Sequence, residues 1–184
     1  MHHRFPRAVV AAIAFAFAAC TDSAPVGPTS LSTSSSITTG GLWAREIVGE
    51  TGPGSTYGIW VPEQWNGEAV FYAHGFKDVA ASIDLPVNDS IAQLRDALGA
   101  RGYAVAYSSF SENGFALEDG VRRTHQLSGL LASEIGRPSR SYLMGHSLGS
   151  LVVTKLSERH AGQYDGTLAM CGILGGTKPT IDYI

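Results

Sequence analysis

Short apolar runs alternate along this chain with longer segments in which apolar residues recur at helical spacing. The apolar runs predict strands at 42–48, 57–61, 69–73, 103–107, 142–144 and 166–171. Helical spacing predicts helices at 90–99, 119–135 and 148–160, the first with a capping box formed by Ser90 and Gln93. This alternation indicates an α/β fold, with a mostly parallel sheet and helices on both faces.

The first 20 residues have the pattern of an export signal. A basic segment ending at Arg7 precedes a 12-residue apolar run at 8–19, which is too short for a stable membrane span. Cys20 follows small residues directly, as in the lipobox of bacterial lipoproteins, although Phe17 departs from the usual leucine. We therefore predict a lipidated Cys20 and a cell-envelope lipoprotein. Ordinary cleavage near residues 16–18, giving a secreted or periplasmic protein, is the alternative.

Residues 21–41 are rich in Ser, Thr, Pro and Gly, and this composition predicts a flexible linker. The remaining residues, 42–184, are expected to form one folded domain. Any contact with a membrane is expected only through the N-terminal lipid.

Composition narrows the range of functions. The net charge of −3 gives no electrostatic reason to expect nucleic acid as a partner. The chain contains neither a C-x-x-C nor an H-E-x-x-H motif, so we predict neither a metal site nor a cofactor. The expected partner is a small-molecule ester or peptide substrate.

One pentapeptide carries most of the candidate chemistry. Gly145-His146-Ser147-Leu148-Gly149 lies between a predicted strand and a predicted helix. A sharp strand-to-helix turn exposes the central serine, and the two flanking glycines let neighbouring backbone pass close by. The helix N-terminus behind Ser147 presents free N–H groups to developing negative charge. Ser147 is therefore the predicted nucleophile.

A second short motif follows an earlier strand. His74, Gly75 and Phe76 come directly after the predicted strand at 69–73. Loops at the carboxyl ends of parallel strands share one edge of the sheet, so we expect this motif to lie near Ser147.

With these two motifs, residues 57–176 resemble an α/β-hydrolase, and segment 97–105 is also similar to that family. The resemblance implies a serine esterase or peptidase that acts through an acyl-enzyme on Ser147. It also implies an oxyanion hole formed by the backbone N–H groups of Phe76 and Leu148, with His74, Gly75, Gly145 and Gly149 supporting the two motifs.

The sequence departs from the family pattern at the triad, because no histidine follows His160. We expect an acid and a histidine outside this chain, and hence the C-terminally incomplete N-terminal portion of a longer hydrolase. Two alternatives stay open: a peptidase of prolyl-oligopeptidase or iminopeptidase type, and an inactive, truncated surface lipoprotein. His74 is interpreted as loop-shaping. Weaker candidates for a triad acid, base or nucleophile are Asp182, His125, His146, His160 and Cys171.

Overall fold

The predicted alternation of strands and helices is present in the computed structural model, which describes residues 34–37, 41–52, 54–176, 178 and 182. The strands are β1 (Ser34–Ile37), β2 (Trp43–Glu50), β3 (Thr56–Pro62), β4 (Glu68–Ala73), β5 (Ala104–Ser108), β6 (Arg140–His146) and β7 (Gly166–Met170). The helices are α1 (Asp89–Gly99), α2 (Leu117–Ile135) and α3 (Leu148–Arg159).

The strands form one sheet in the order β1-β2-β3-β5-β4-β6-β7. Strands β5, β4, β6 and β7 pair in parallel, whereas β1, β2 and β3 pair antiparallel, β3 also with β5. Because β3 runs opposite to β5 and β2 runs opposite to β3, β2 points in the same direction as β5. Most of the described strands therefore point the same way. The predicted α/β class with a mostly parallel sheet is confirmed.

Side chains alternate between the two faces of the sheet, as strand geometry requires. On β4, Ala69, Phe71 and Ala73 pack into a core beneath α2 and α3. Tyr72 points to the opposite face, where α1 packs against β5 and β3. Helices therefore cover both faces, as the alternation predicted.

Two local predictions were wrong. Helix α1 is capped by Asn88, whose side-chain oxygen accepts the N–H of Ile91 at 3.0 Å. Ser90 lies inside the first turn of the helix, so it cannot form the predicted capping box with Gln93.

Strand β1 lies within the predicted linker and pairs with β2, so these four residues form part of the sheet rather than a tether.

Candidate active site

Ser147 stands at the turn between β6 and α3. Its backbone angles are φ 53° and ψ −122°, in the left-handed half of conformational space, where a serine costs roughly 1–3 kcal/mol. The residue occupies the N-cap position of α3, yet its side chain makes no capping hydrogen bond. Ser147 is also exposed. Its hydroxyl is therefore free for chemistry at the positive end of a helix.

The two glycines of the pentapeptide make this turn sterically feasible. A Cβ on Gly145 would lie 2.2 Å from the carbonyl oxygen of Gly149. A Cβ on Gly149 would lie 2.1 Å from the carbonyl oxygen of Ala73, at the end of β4. Both contacts are with backbone atoms, so no side chain could move aside. Gly145 and Gly149 are thus required for the close passage of β6, α3 and β4.

The loop after β4 lies against Ser147, as its place in the sequence predicted. A Cβ on Gly75 would lie 3.3 Å from Ser147 Cβ and 3.1 Å from His146 Nε2. Phe76, the next residue, is 61% exposed and lines a cavity beside Ser147. Leu148 is the first residue of α3, and the first N–H groups of a helix have no partner within the helix. The two segments that carry the predicted oxyanion donors thus meet at Ser147.

His74 is a buried part of this loop, with only 4% of its surface exposed. Its ring stacks on Phe110 at 3.9 Å between centroids. Nδ1 lies 2.7 Å from the carbonyl oxygen of Gly75, and Nε2 lies 3.2 Å from that of Ser109. Burial is the main cause that lowers the pKa of His74, against the opposing effect of the two carbonyls. Its contacts with Phe110 and the Ser109 carbonyl tie the exit of β4 to that of β5.

A cavity of about 160 Å³ opens beside Ser147 and is called the nucleophile cavity below. Its wall is made of apolar side chains, a thiol and the serine itself: Phe76, Phe115, Ser147, Leu148, Leu151, Cys171 and Ile173. The sequence motifs pointed to Ser147, Phe76 and Leu148. Cys171 and Ile173 were missed as lining residues, because only the folded chain brings the end of β7 beside the start of α3. Leu151, on α3 itself, was also missed.

Ser150 is a second residue whose place the sequence did not reveal. It is fully buried, and its hydroxyl donates to the carbonyl oxygen of Met170 at 2.5 Å. The same carbonyl accepts the N–H of Ser147 at 2.9 Å. The last residue of β7 therefore anchors the turn at Ser147 through two hydrogen bonds. Serine at this position has no sequence signature, since many helix serines face solvent.

Three of the weaker candidates are paired with other residues. The rings of His125 and His160 stack on each other at 3.8 Å, and His125 Nδ1 lies 2.9 Å from Tyr164 Oη. Asp182 is exposed and pairs with Lys178 at 2.5 Å. Among the described residues, no hydrogen bond joins the Ser147 hydroxyl to a histidine or carboxylate.

Most of the N-terminal predictions concern residues that the structure does not describe. Cys20, the export signal and most of the linker lie outside the described residues. No helix in the described part of the chain has the length and apolarity needed to cross a membrane.

Comparison with known proteins supports the architecture. No protein-family model matches the chain, and no curated protein matches its sequence. Solved structures do match. A probable hydrolytic enzyme from Pseudomonas aeruginosa PAO1 is 16% identical with a TM-score of 0.50, over 78% of this chain and 41% of that one. A thermostable carboxyl esterase from Bacillus coagulans is 13% identical with a TM-score of 0.51, over 76% and 43%.

The chain thus spans less than half the length of these two proteins. A third structure, an α/β serine hydrolase without a lid from Xanthomonas campestris, is closer in size. It is 14% identical with a TM-score of 0.50, and the match covers 86% of this chain and 80% of that one. At these identities the likeness concerns the fold alone. The described domain has the α/β-hydrolase fold.

Proposed function

We propose that this chain carries the nucleophile and the oxyanion hole of a serine hydrolase that cleaves carboxylic esters through an acyl-enzyme on Ser147. The observation that carries the proposal is the exposed, uncapped hydroxyl of Ser147 in strained backbone at the start of α3. Strain of this kind persists only where surrounding structure enforces it, here Gly145, Gly149 and the Met170 carbonyl.

In the proposed reaction, Ser147 Oγ attacks the ester carbonyl carbon, and a base takes the hydroxyl proton. The carbonyl oxygen becomes an oxyanion that accepts hydrogen bonds from the N–H groups of Leu148 and Phe76. Collapse of this intermediate expels the alcohol, which takes a proton, and leaves the acyl group on Ser147. Water then releases the acid by the same route. One backbone donor of this type contributes roughly 3–4 kcal/mol to the stability of the transition state.

The base and its acid are proposed to come from outside the described residues. Support comes from the distribution of the described histidines. His74 is buried against backbone carbonyls, His146 bonds Tyr72, and His125 stacks on His160. Each ring is thus engaged with other groups of the domain.

The wall of the nucleophile cavity favours an ester over a peptide substrate. Its side chains are uncharged, and Phe115 is 66% exposed at its rim. An apolar wall stabilises an acyl group without charge, whereas a charged peptide terminus would lose hydration there without gaining a partner.

We further propose that the protein is exported and that Cys20 carries a lipid anchor, on the basis of the N-terminal pattern alone.

Covalent labelling tests the nucleophile. The full-length gene product is incubated with a fluorophosphonate probe, and the modified residue is located by mass spectrometry. We expect modification at Ser147 and its loss in Ser147→Ala. Ser128→Ala, which removes a hydroxyl from α2, is the matched control and should label like the wild type. An unlabelled wild type, or equal labelling of Ser147→Ala, would contradict the proposal.

Turnover of p-nitrophenyl esters tests where the base lies. The 184-residue chain by itself should show little or no turnover, since the described residues place no base at Ser147. Clear turnover by this chain would mean that one of its own histidines acts as the base.

A further inference from the structure

A pair of rings on the α1 face of the sheet lies next to residues 74–76. This loop after β4 carries one proposed oxyanion donor and is called the oxyanion loop below. Tyr72 on β4 and His146 at the end of β6 stack with 5.9 Å between centroids and 14° between planes. Their strands are neighbours, since Tyr72 pairs in register with Met144, two residues before His146. Side chains two positions apart on a strand share a face, so this contact follows from the register.

The two rings also share a hydrogen bond, which runs from Tyr72 Oη to His146 Nδ1 over 2.5 Å. Tyr72 is only 3% exposed. Burial, with a smaller effect of the neighbouring Tyr107, raises the pKa of Tyr72 to about 12. The phenol therefore keeps its proton and is available as the donor to His146 Nδ1. An imidazole that accepts at Nδ1 carries its own proton at Nε2.

The far edge of the His146 ring meets the oxyanion loop. A Cβ on Gly75 would lie 3.1 Å from His146 Nε2 and 3.3 Å from Ser147 Cβ. The Gly75 backbone thus lies between the imidazole of His146 and the side chain of Ser147. The next N–H along the chain is that of Phe76, the second donor in the proposed oxyanion hole.

We propose that Tyr72 and His146 form a positioning pair, in which the phenol fixes the tautomer and orientation of His146, and His146 sets the distance between the Gly75–Phe76 peptide and Ser147. This role rests on the proposed function, although the pair itself can be tested without turnover. Neither residue touches the substrate in this scheme, so neither is a catalytic residue.

The test compares two phenol-to-phenyl changes in the full chain. Tyr72→Phe removes the hydroxyl that bonds His146. Tyr107→Phe removes a similarly buried hydroxyl on the same face, which interacts with Arg95 rather than with His146. Both variants keep their rings and therefore their packing. Long-range proton–nitrogen NMR spectra of ¹⁵N-histidine-labelled protein report the tautomer, with His146 assigned by His146→Gln.

The wild type and Tyr107→Phe should show a protonated Nε2 and an unprotonated Nδ1 at His146. In Tyr72→Phe the two tautomers should mix, and the Phe76 amide resonance should shift more than in Tyr107→Phe. A proton on Nδ1 in the wild type, or a Tyr72→Phe variant with unchanged His146 and Phe76 resonances, would overturn the proposal.

Kinetics of the full-length gene product supply the second arm. Tyr72→Phe should lower kcat about 10- to 100-fold with KM nearly unchanged, because a displaced oxyanion donor weakens binding of the transition state only. Tyr107→Phe should keep the wild-type kcat. Equal kcat in Tyr72→Phe and the wild type would refute the positioning role. A wild type without turnover would count against the proposed function. The NMR measurements would still decide whether Tyr72 and His146 form the positioning pair.

Discussion

Gly149 and Gly129 offer a comparison of one substitution in two helices. Gly149 lies in the first turn of α3, where a Cβ would come within 2.1 Å of the Ala73 carbonyl oxygen and 2.8 Å of that of His74. Gly129 is exposed in α2, and a Cβ there would meet nothing within 4 Å. The two sites share helical conformation and differ in free space.

The expected effects have opposite signs. Alanine is favoured over glycine in a helix by about 1 kcal/mol, so Gly129→Ala should raise the free energy of unfolding by about that amount. At Gly149 the same gain is outweighed by overlap with two backbone carbonyls, which only movement of α3 away from β4 can relieve. Severe steric mechanisms of this kind cost roughly 4 kcal/mol or more, so Gly149→Ala should lose about 3 kcal/mol or more net.

Urea denaturation followed by circular dichroism measures both variants. The midpoint should move up for Gly129→Ala and far down for Gly149→Ala, while the denaturant slope stays constant if both unfold in two states. Should Gly149→Ala prove as stable as the wild type, the close passage of α3 over the end of β4 would be refuted. The steric explanation of the two glycines in the pentapeptide would then also be wrong.

Two further predictions concern buried polar groups. Ser150→Ala removes the hydroxyl that donates to Met170, so the free energy of unfolding should fall by about 1 kcal/mol and the Ser147 amide should exchange faster in hydrogen-exchange NMR; unchanged stability and exchange would argue against the anchor. Burial lowers the pKa of His74, so the unfolded chain binds a proton more readily than the folded one. Stability should therefore be full above the unfolded pKa of about 6.5 and decline as the pH falls below it. His125, whose pKa is lowered by burial and by His160, acts in the same direction. Urea midpoints at pH 7.5 and 5.5 measure the decline, which should be shallower in His74→Gln; an identical pH dependence in that variant would contradict the assignment.

The parts of the fold that depend on local pattern could be predicted from the sequence. The apolar runs placed β4 and β6 to within a few residues, and Gly136, with φ 91°, ends α2 where predicted. The start of α1 was misplaced because Asn88 and Ser90 are both good capping residues, and only the folded chain decides between them. Strand β1 was missed because its polar residues resemble a linker, and it is ordered by pairing with β2.

The site divides in the same way. Ser147 and the loop at Gly75 could be predicted, because a strand-to-helix turn and a close backbone approach both require particular residues in fixed order. The bond between Tyr72 and His146 could not, since it depends on the register of two strands far apart in the chain. The apolar wall contributed by Ile173 likewise depends on where β7 joins the sheet.

The distance along the chain between the two halves of the site has a kinetic consequence. The oxyanion loop follows β4, but its partners on β6 are some 74 positions later, as the Tyr72–His146 bond illustrates. Closing so long a loop carries an entropic cost that local helix formation does not. The strained turn at Ser147 should therefore form late in folding, after β6 has docked beside β4. During synthesis, the segment that bears Gly75 leaves the ribosome well before the segment that completes its site.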